Sequence, residues 1–159
     1  MSTTIETPRL VSPLNLAPVI APAGLTWNEG DFFTVAADGT LSLALAAGAD
    51  SGVSTRLTHF ATSTRTTPTT AGEIVYLHKI VIGSNVFTGS LADDDAVAAY
   101  SNAFIGDSFD LRRTTTSKIF VVNSTSQANP VVKVTGFTDN TSGDTCGSVQ
   151  FEVLYNKCL

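Results

Sequence analysis

The sequence predicts an all-β protein: a single β-sandwich or barrel-like domain of eight or nine short strands with one short helix, preceded by an extended N-terminal arm. Three observations carry this. The 159 residues suffice for one domain and not comfortably for two. Hydroxyl side chains abound, with 23 Thr and 15 Ser, and the β-branch of threonine suits a pleated strand. Glu and Lys, which populate surface helices, number only four each.

Residues 1–26 read as the arm and 27–159 as the β domain. Four of the six prolines, Pro8, Pro13, Pro18 and Pro22, punctuate the first segment and exclude both a helix and a central strand there. The segment is nonetheless apolar. Ile5, Leu10, Val11, Leu14, Leu16, Val19, Ile20 and Leu25 are its candidate partner-binding residues, and its only charges before Trp27 are Glu6 and Arg9. In polyproline-like geometry, at about 3.1 Å per residue, such an arm reaches roughly 75 Å, which points to a neighbouring subunit or another protein.

From Trp27 the pattern is strands. Phe33, Val35 and Ala37 alternate, Asp38-Gly39 predicts a two-residue hairpin turn, and Leu41, Leu43 and Leu45 alternate on the return. Val53 to Phe60 alternates again, and 61–72 is a hydroxyl-rich loop facing solvent or a neighbour. Ile74 to Ile82 carries apolar residues on both faces, so it reads as a central or interfacial strand. Within it, Ile74, Tyr76, His78, Ile80 and Ile82 are the candidate subunit-interface residues. Asp93 to Tyr100 is the one helical candidate, with acidic residues at its start and alanines after them. Further strands are expected at Ser108–Arg112, Lys118–Val122, Val131–Phe137 and Gly147–Tyr155. In the last, Val149, Phe151, Val153 and Tyr155 point one way and Gln150 and Glu152 the other.

Composition also narrows function. Charged residues make up 14% of the chain, the net charge is −5, and no basic footprint exists for nucleic acid or an anionic membrane. Residues 1–25 contain neither a basic start nor an apolar run of signal length, and no segment approaches the ~18 apolar residues of a membrane span. Cys146 and Cys158 have no metal-type spacing, and free thiols are the default with a disulfide as the alternative. Asn123-Ser124-Thr125 and Asn140-Thr141-Ser142 match glycosylation sequons by pattern alone.

Candidate chemistry is sparse. Gly106-Asp107-Ser108-Phe109 is similar to the nucleophile block of lipase/esterase hydrolases, but Ser108 leads into a strand and both histidines, His59 and His78, lie upstream. Those histidines suit a metal on adjacent strands only if a third ligand joins them. Asp93-Asp94-Asp95 lacks the alternating spacing of a calcium loop, and Asp139–Asp144 reads first as a turn-rich loop. Trp27 offers either a sugar-stacking face or a plug where the arm joins the domain. The expectation is no catalytic residues, no metal and no cofactor.

Several strings, taken in order, resemble the capsid decoration (cement, or head-stabilising) proteins of tailed bacteriophages. Glu29-Gly30-Asp31-Phe32-Phe33-Thr34-Val35 with Asp38-Gly39-Thr40-Leu41 looks like their opening hairpin. Ile105–Leu111, Ile119–Asn123, Val132–Phe137 and Gly143-Asp144-Thr145 before Gly147–Leu154 look like their closing run. The resemblance covers about two-thirds of the 159 residues, through short and degenerate motifs, and Cys146, Cys158 and the long apolar arm depart from it. It implies a homotrimer on the outer capsid surface, synthesised in the bacterial host cytoplasm, with the major capsid protein as partner and no catalytic residues. The rival expectations are a carbohydrate- or surface-binding β-module of the fibre or adhesin type, a small hydrolase built on Ser108, and a pilus-like subunit using the arm as a donor strand.

Overall fold

The computed structural model describes residues 5–44, 57–98, 101–137 and 148–154. Fourteen short strands lie among them: β1 (Arg9–Leu10), β2 (Leu16–Ile20), β3 (Phe32–Val35), β4 (Leu41–Leu43), β5 (His59–Phe60), β6 (Ile74–Lys79) and β7 (Val86–Gly89), then β8 (Leu91–Asp93), β9 (Ala96–Val97), β10 (Ser108–Phe109), β11 (Leu111–Arg113), β12 (Phe120–Asn123), β13 (Val132–Phe137) and β14 (Val149–Val153). They form a first sheet in the order β1-β7-β14-β13-β10, a second in the order β2-β6-β5-β3-β4, and a third in the order β11-β12-β8-β9. Among these strand pairs only β12 and β8 run in parallel. The arrangement is sandwich-like and not a closed barrel, although a lone bridge between Ile20 and Thr40 draws the two edges of the second sheet together.

Phe32 is the point where the three sheets meet. Its ring packs on Phe60 of its own sheet at 4.8 Å, on Phe87 of the first sheet at 5.3 Å and on Phe120 of the third at 5.7 Å. Phe87 stacks in turn on Phe151. Successive strand residues face opposite ways, so the neighbouring Phe33 enters a second cluster with Val19, Trp27, Leu41, Val75 and Leu77 on the far side of the same sheet. A third, smaller cluster joins Ile5, Ala92 and Val121. Each fully buried phenylalanine contributes about 1.5–3 kcal/mol of apolar transfer, so this aromatic junction is the main tie between the sheets.

The all-β expectation and the sandwich hold, and three details are corrected. The strands number fourteen among the described residues because the chain changes sheets abruptly. Ser90 separates β7 from β8, and Asp110 separates β10 from β11, with each pair split between the first and third sheets. Asp110 secures its corner by accepting from the Ser126 hydroxyl (2.6 Å) and from Asn129 N (2.8 Å). The helix expected at Asp93 to Tyr100 is instead the β8–β9 hairpin as far as Ala98, with 99–100 outside the described residues. Asp94 adopts φ +54, which aspartate tolerates. Its carboxylate and that of Asp95 accept from Thr115 N, Thr116 N and Ser117 N across the fold, not from a helix start of their own.

The third correction is the hairpin turn, which has three residues. Ala36 N donates to Thr40 O and Gly39 N to Ala36 O, with Gly39 in the left-handed region at φ +84. The last strand alternates as expected, with Val149, Phe151 and Val153 buried. The long strand over 74–82 ends at Lys79, and the run from Val53 keeps only β5 as strand, with 51–56 outside the described residues. Cys146, Cys158, Tyr155, the Asn140 sequon and the Asp139–Asp144 loop also lie outside them. Asn123 of the other sequon is buried and accepts from Thr125 N.

Candidate functional site: an apolar sheet face

The proline-rich N-terminal segment is extended, and within the described residues it is paired to its own domain. β1 joins the first sheet beside β7. β2 joins the second beside β6, in the register Leu16↔His78, Pro18↔Tyr76 and Ile20↔Ile74. Lys79 N donates to Asn15 O and Ala21 N to Glu73 O. The odd-numbered residues of this stretch therefore turn their backbone polar groups toward β6 and the even-numbered ones turn theirs away. Pro18 stands at an even position, where its missing N–H is one that β6 would not have used.

The same alternation divides the side chains. Val19, Val75 and Leu77 are buried in the cluster around Phe33. On the opposite face Leu16 is 52% exposed, Ile20 47%, Ile74 60% and Tyr76 64%. That face continues along the sheet into His78, Phe60 and Phe32, where the first sheet covers it. The second sheet thus overhangs the first, and its uncovered end is apolar and without charge at the paired positions. With aromatic and aliphatic side chains about half exposed, the patch amounts to on the order of 500 Å², the size of the largest apolar patch on a typical monomer, which is often functional.

Its concentration is the main point. Among the described residues nine large apolar side chains are exposed, and eight of them, Val11, Leu14, Leu16, Ile20, Ile74, Tyr76, Val81 and Ile82, come from 11–20 and 74–82. The two surfaces expected separately, one on the arm and one on the 74–82 strand, meet across the β2–β6 ladder at Leu16, Ile20, Ile74 and Tyr76, while Val11, Leu14, Val81 and Ile82 lie beyond its paired positions. Not every expected residue belongs to it. Ile5 and Val19 are buried in the chain's own core, and Leu10 and Leu25 are half-buried against it. His78 is fully buried and Ile80 nearly so, while Ile74, Tyr76 and Ile82 are exposed.

The remaining candidate groups are committed elsewhere. His59 and His78 lie on adjacent strands but on opposite faces, since His78 pairs with Phe60 and His59 with Lys79. Among the described residues no three His, Cys, Asp or Glu side chains are placed to hold a metal ion. Burial pushes the His59 imidazole below its ordinary pKa, and the like charges of Lys79 and His78 push it further. Asp93 and Asp94 face the Arg112 guanidinium at 3.7 and 3.4 Å, so the aspartate triplet braces the 112–117 segment. Ser108 enters β10 behind Gly106. Trp27 is buried, with Phe33 at its edge and the Arg65 guanidinium 5.6 Å over its ring. Its faces are therefore covered by protein, as a plug requires.

Sequence reasoning missed the polar cluster beneath this surface. Asn15 N donates to His78 Nδ1 (2.9 Å), and His78 Nε2 meets Asn85 Oδ1 (3.1 Å), which also accepts from Val81 N (2.6 Å). Asn85 Nδ2 donates to Ser12 Oγ (3.2 Å), which accepts from Val86 N as well (3.1 Å). The signal available was a lone histidine within an apolar strand, which needs partners when buried. Compared with known protein families, with curated proteins and with solved structures, the chain matches none.

Proposed function

We propose that this chain is a structural virion protein that decorates the outside of a tailed phage's capsid. In this reading it assembles as a homotrimer, stabilises the major-capsid lattice by face-on packing, and has no catalytic role and no cofactor. One observation carries the proposal: four of the nine exposed large apolar side chains among the described residues, Leu16, Ile20, Ile74 and Tyr76, share one β2–β6 face that has no charge at its paired positions. A shell-stabilising protein must grip subunits that are already folded, and an apolar face of this size does so by excluding water, at about 25 cal/mol per Å². Repetition of the face on three subunits multiplies the hold, by roughly 10²–10⁴ when linked sites engage together. The rival reading as a glycan-binding module loses its stacking residue, because Trp27 is covered by Arg65 and Phe33.

The test is substitution on the face, because deletion of residues 1–26 removes β1, β2 and the buried Ile5 and Val19 and so unfolds what it tests. Ile74→Thr, Tyr76→Thr and Leu16→Thr place strand-compatible β-branched residues at exposed positions, and each changes unfolding stability by about 0.5 kcal/mol or less. The expected result is that the triple variant folds but no longer co-sediments with expanded heads assembled from the capsid protein of the same genome, while wild type binds and raises their heat resistance. Equal binding of variant and wild type, or no binding of wild type, overturns the proposal.

A further inference from the structure

We propose that His78 is an acid-sensitive latch that holds residues 12–20 against the domain. The geometry supplies both halves of the device. Nδ1 accepts the N–H of Asn15, so Nδ1 carries no proton and the ring is the neutral tautomer with its hydrogen on Nε2, donated to Asn85 Oδ1. Asn85 passes the connection back to the same N-terminal segment through Ser12 Oγ. The ring thus sits between two ties to the segment, one on each side of Pro13 and Leu14. A proton on Nδ1 removes the acceptor from Asn15 and turns two donors toward each other.

Among the described residues no acidic group is placed against the ring to compensate a charge. It is fully buried, with Phe87 at 6.4 Å, Phe60 opposite it on β5, and Leu16 opposite it on β2. The turn before β7 presents Asn85, and β2 is entered through Asn15, both neutral. The titratable groups beside it are basic: His59 on β5, which feels His78 as a like charge, and Lys79, next along β6. Desolvation accordingly holds the imidazole below its ordinary 6.5, outweighing the Asn85 bond that favours the charged form. The closed latch therefore prefers the neutral ring, and the opened one takes up a proton at the ordinary value. Closure is complete above about pH 6.5 and weakens as pH falls, by up to tenfold in the opening constant per pH unit. Opening bares the β6 edge together with Val19.

Amide hydrogen exchange on the full chain, corrected for intrinsic rates, reads the opening directly. As pH falls from 7.5 to 5 the opening constants at Asn15 and Lys79 are expected to rise, by up to about tenfold per pH unit below 6.5, while that at Val134 in β13 stays constant. The chain has only two histidines, so His59→Gln leaves His78 the only histidine to titrate and is expected to keep the rise. His78→Gln is expected to give a flat profile. A flat profile in wild type, an equal rise at Val134, or loss of the rise in His59→Gln overturns the latch. The wild-type and His59→Gln results decide the matter even where His78→Gln does not fold.

Discussion

Replacing Gly30 by alanine tests whether the N-terminal segment truly lies on its own domain. Gly30 sits just before the Asp31–Phe32 entry to β3, in the left-handed region at φ +92, and its N–H bonds to Ala61 O. A Cβ there comes under 3.0 Å from Thr7 Cγ2, 3.1 Å from Pro8 Cδ and 3.2 Å from Pro8 O. Two costs follow. An alanine in left-handed backbone costs about 1–2 kcal/mol wherever the N-terminal segment lies. Displacing Thr7 and Pro8 adds about 1–2 kcal/mol, and only when the segment is docked. The sum, about 2–4 kcal/mol, is a large part of the stability of a single domain.

A double-mutant cycle in urea separates the two. Thr7→Ser deletes the methyl that the new Cβ would strike and leaves the Pro8 contacts, so it is expected to recover about 0.5–1.5 kcal/mol of the Gly30→Ala loss. A coupling below about 0.3 kcal/mol, with a Gly30→Ala loss confined to the backbone cost, refutes the docked segment. It would also return residues 5–20 to the role of a free arm.

Two further outcomes follow from the packing and the electrostatics. Phe87→Ala removes a fully buried ring that touches Phe32, Phe60, Phe151 and His78, and it is expected to cost about 3–5 kcal/mol in urea unfolding, with the polar cluster at His78 loosened as well. Asp95 is held below its ordinary 3.8, first by the Ser117 hydroxyl and then by Thr116 N–H, so its contribution is complete above that pH and lost as pH falls through the folded value. Asp95→Asn is therefore expected to be less stable than wild type at neutral pH, with the gap closing in acid, as read by thermal melts across pH 7 to 3.

Local chemistry was legible in the sequence and long-range pairing was not. Alternation placed Val149, Phe151 and Val153 on one face because period-two burial is a property of five consecutive residues. Asp38-Gly39 marked a turn because glycine supplies the left-handed residue it needs, although the loop proved one residue longer. By contrast β7 and β8 went unseen. Val86–Gly89 and Leu91–Asp93 are too short to show a period, and the Ser90 corner between them is fixed by partners in two different sheets. The aspartate triplet misled in the same way, since acidic residues suit a helix start equally well as they suit the N–H groups of a loop about twenty residues away. At the functional face, the apolar residues of 11–20 and 74–82 were recognised individually. Their union depended on a ladder between segments 58 residues apart, for which neither segment carries a local mark.

That ladder also decides how a partner can bind. Without β2, the β6 strand would offer an open edge, and an extended peptide could add to it. β2 fills that place, and then ends the sheet. Of its outward-facing backbone positions among the described residues, Pro18 keeps its carbonyl but has no N–H to give and Ile20 is bridged to Thr40, so only Leu16 offers both groups at that edge. Strand addition is thus blocked along most of the edge, while the adjoining face keeps Leu16, Ile20, Ile74 and Tyr76 uncovered. A closed edge beside an open face selects partners that arrive already folded and pack flat, not peptides that take up structure on binding. The apolar N-terminal segment has then a different role from a reaching arm. It completes its own sheet, and in completing it builds half of the exposed apolar face.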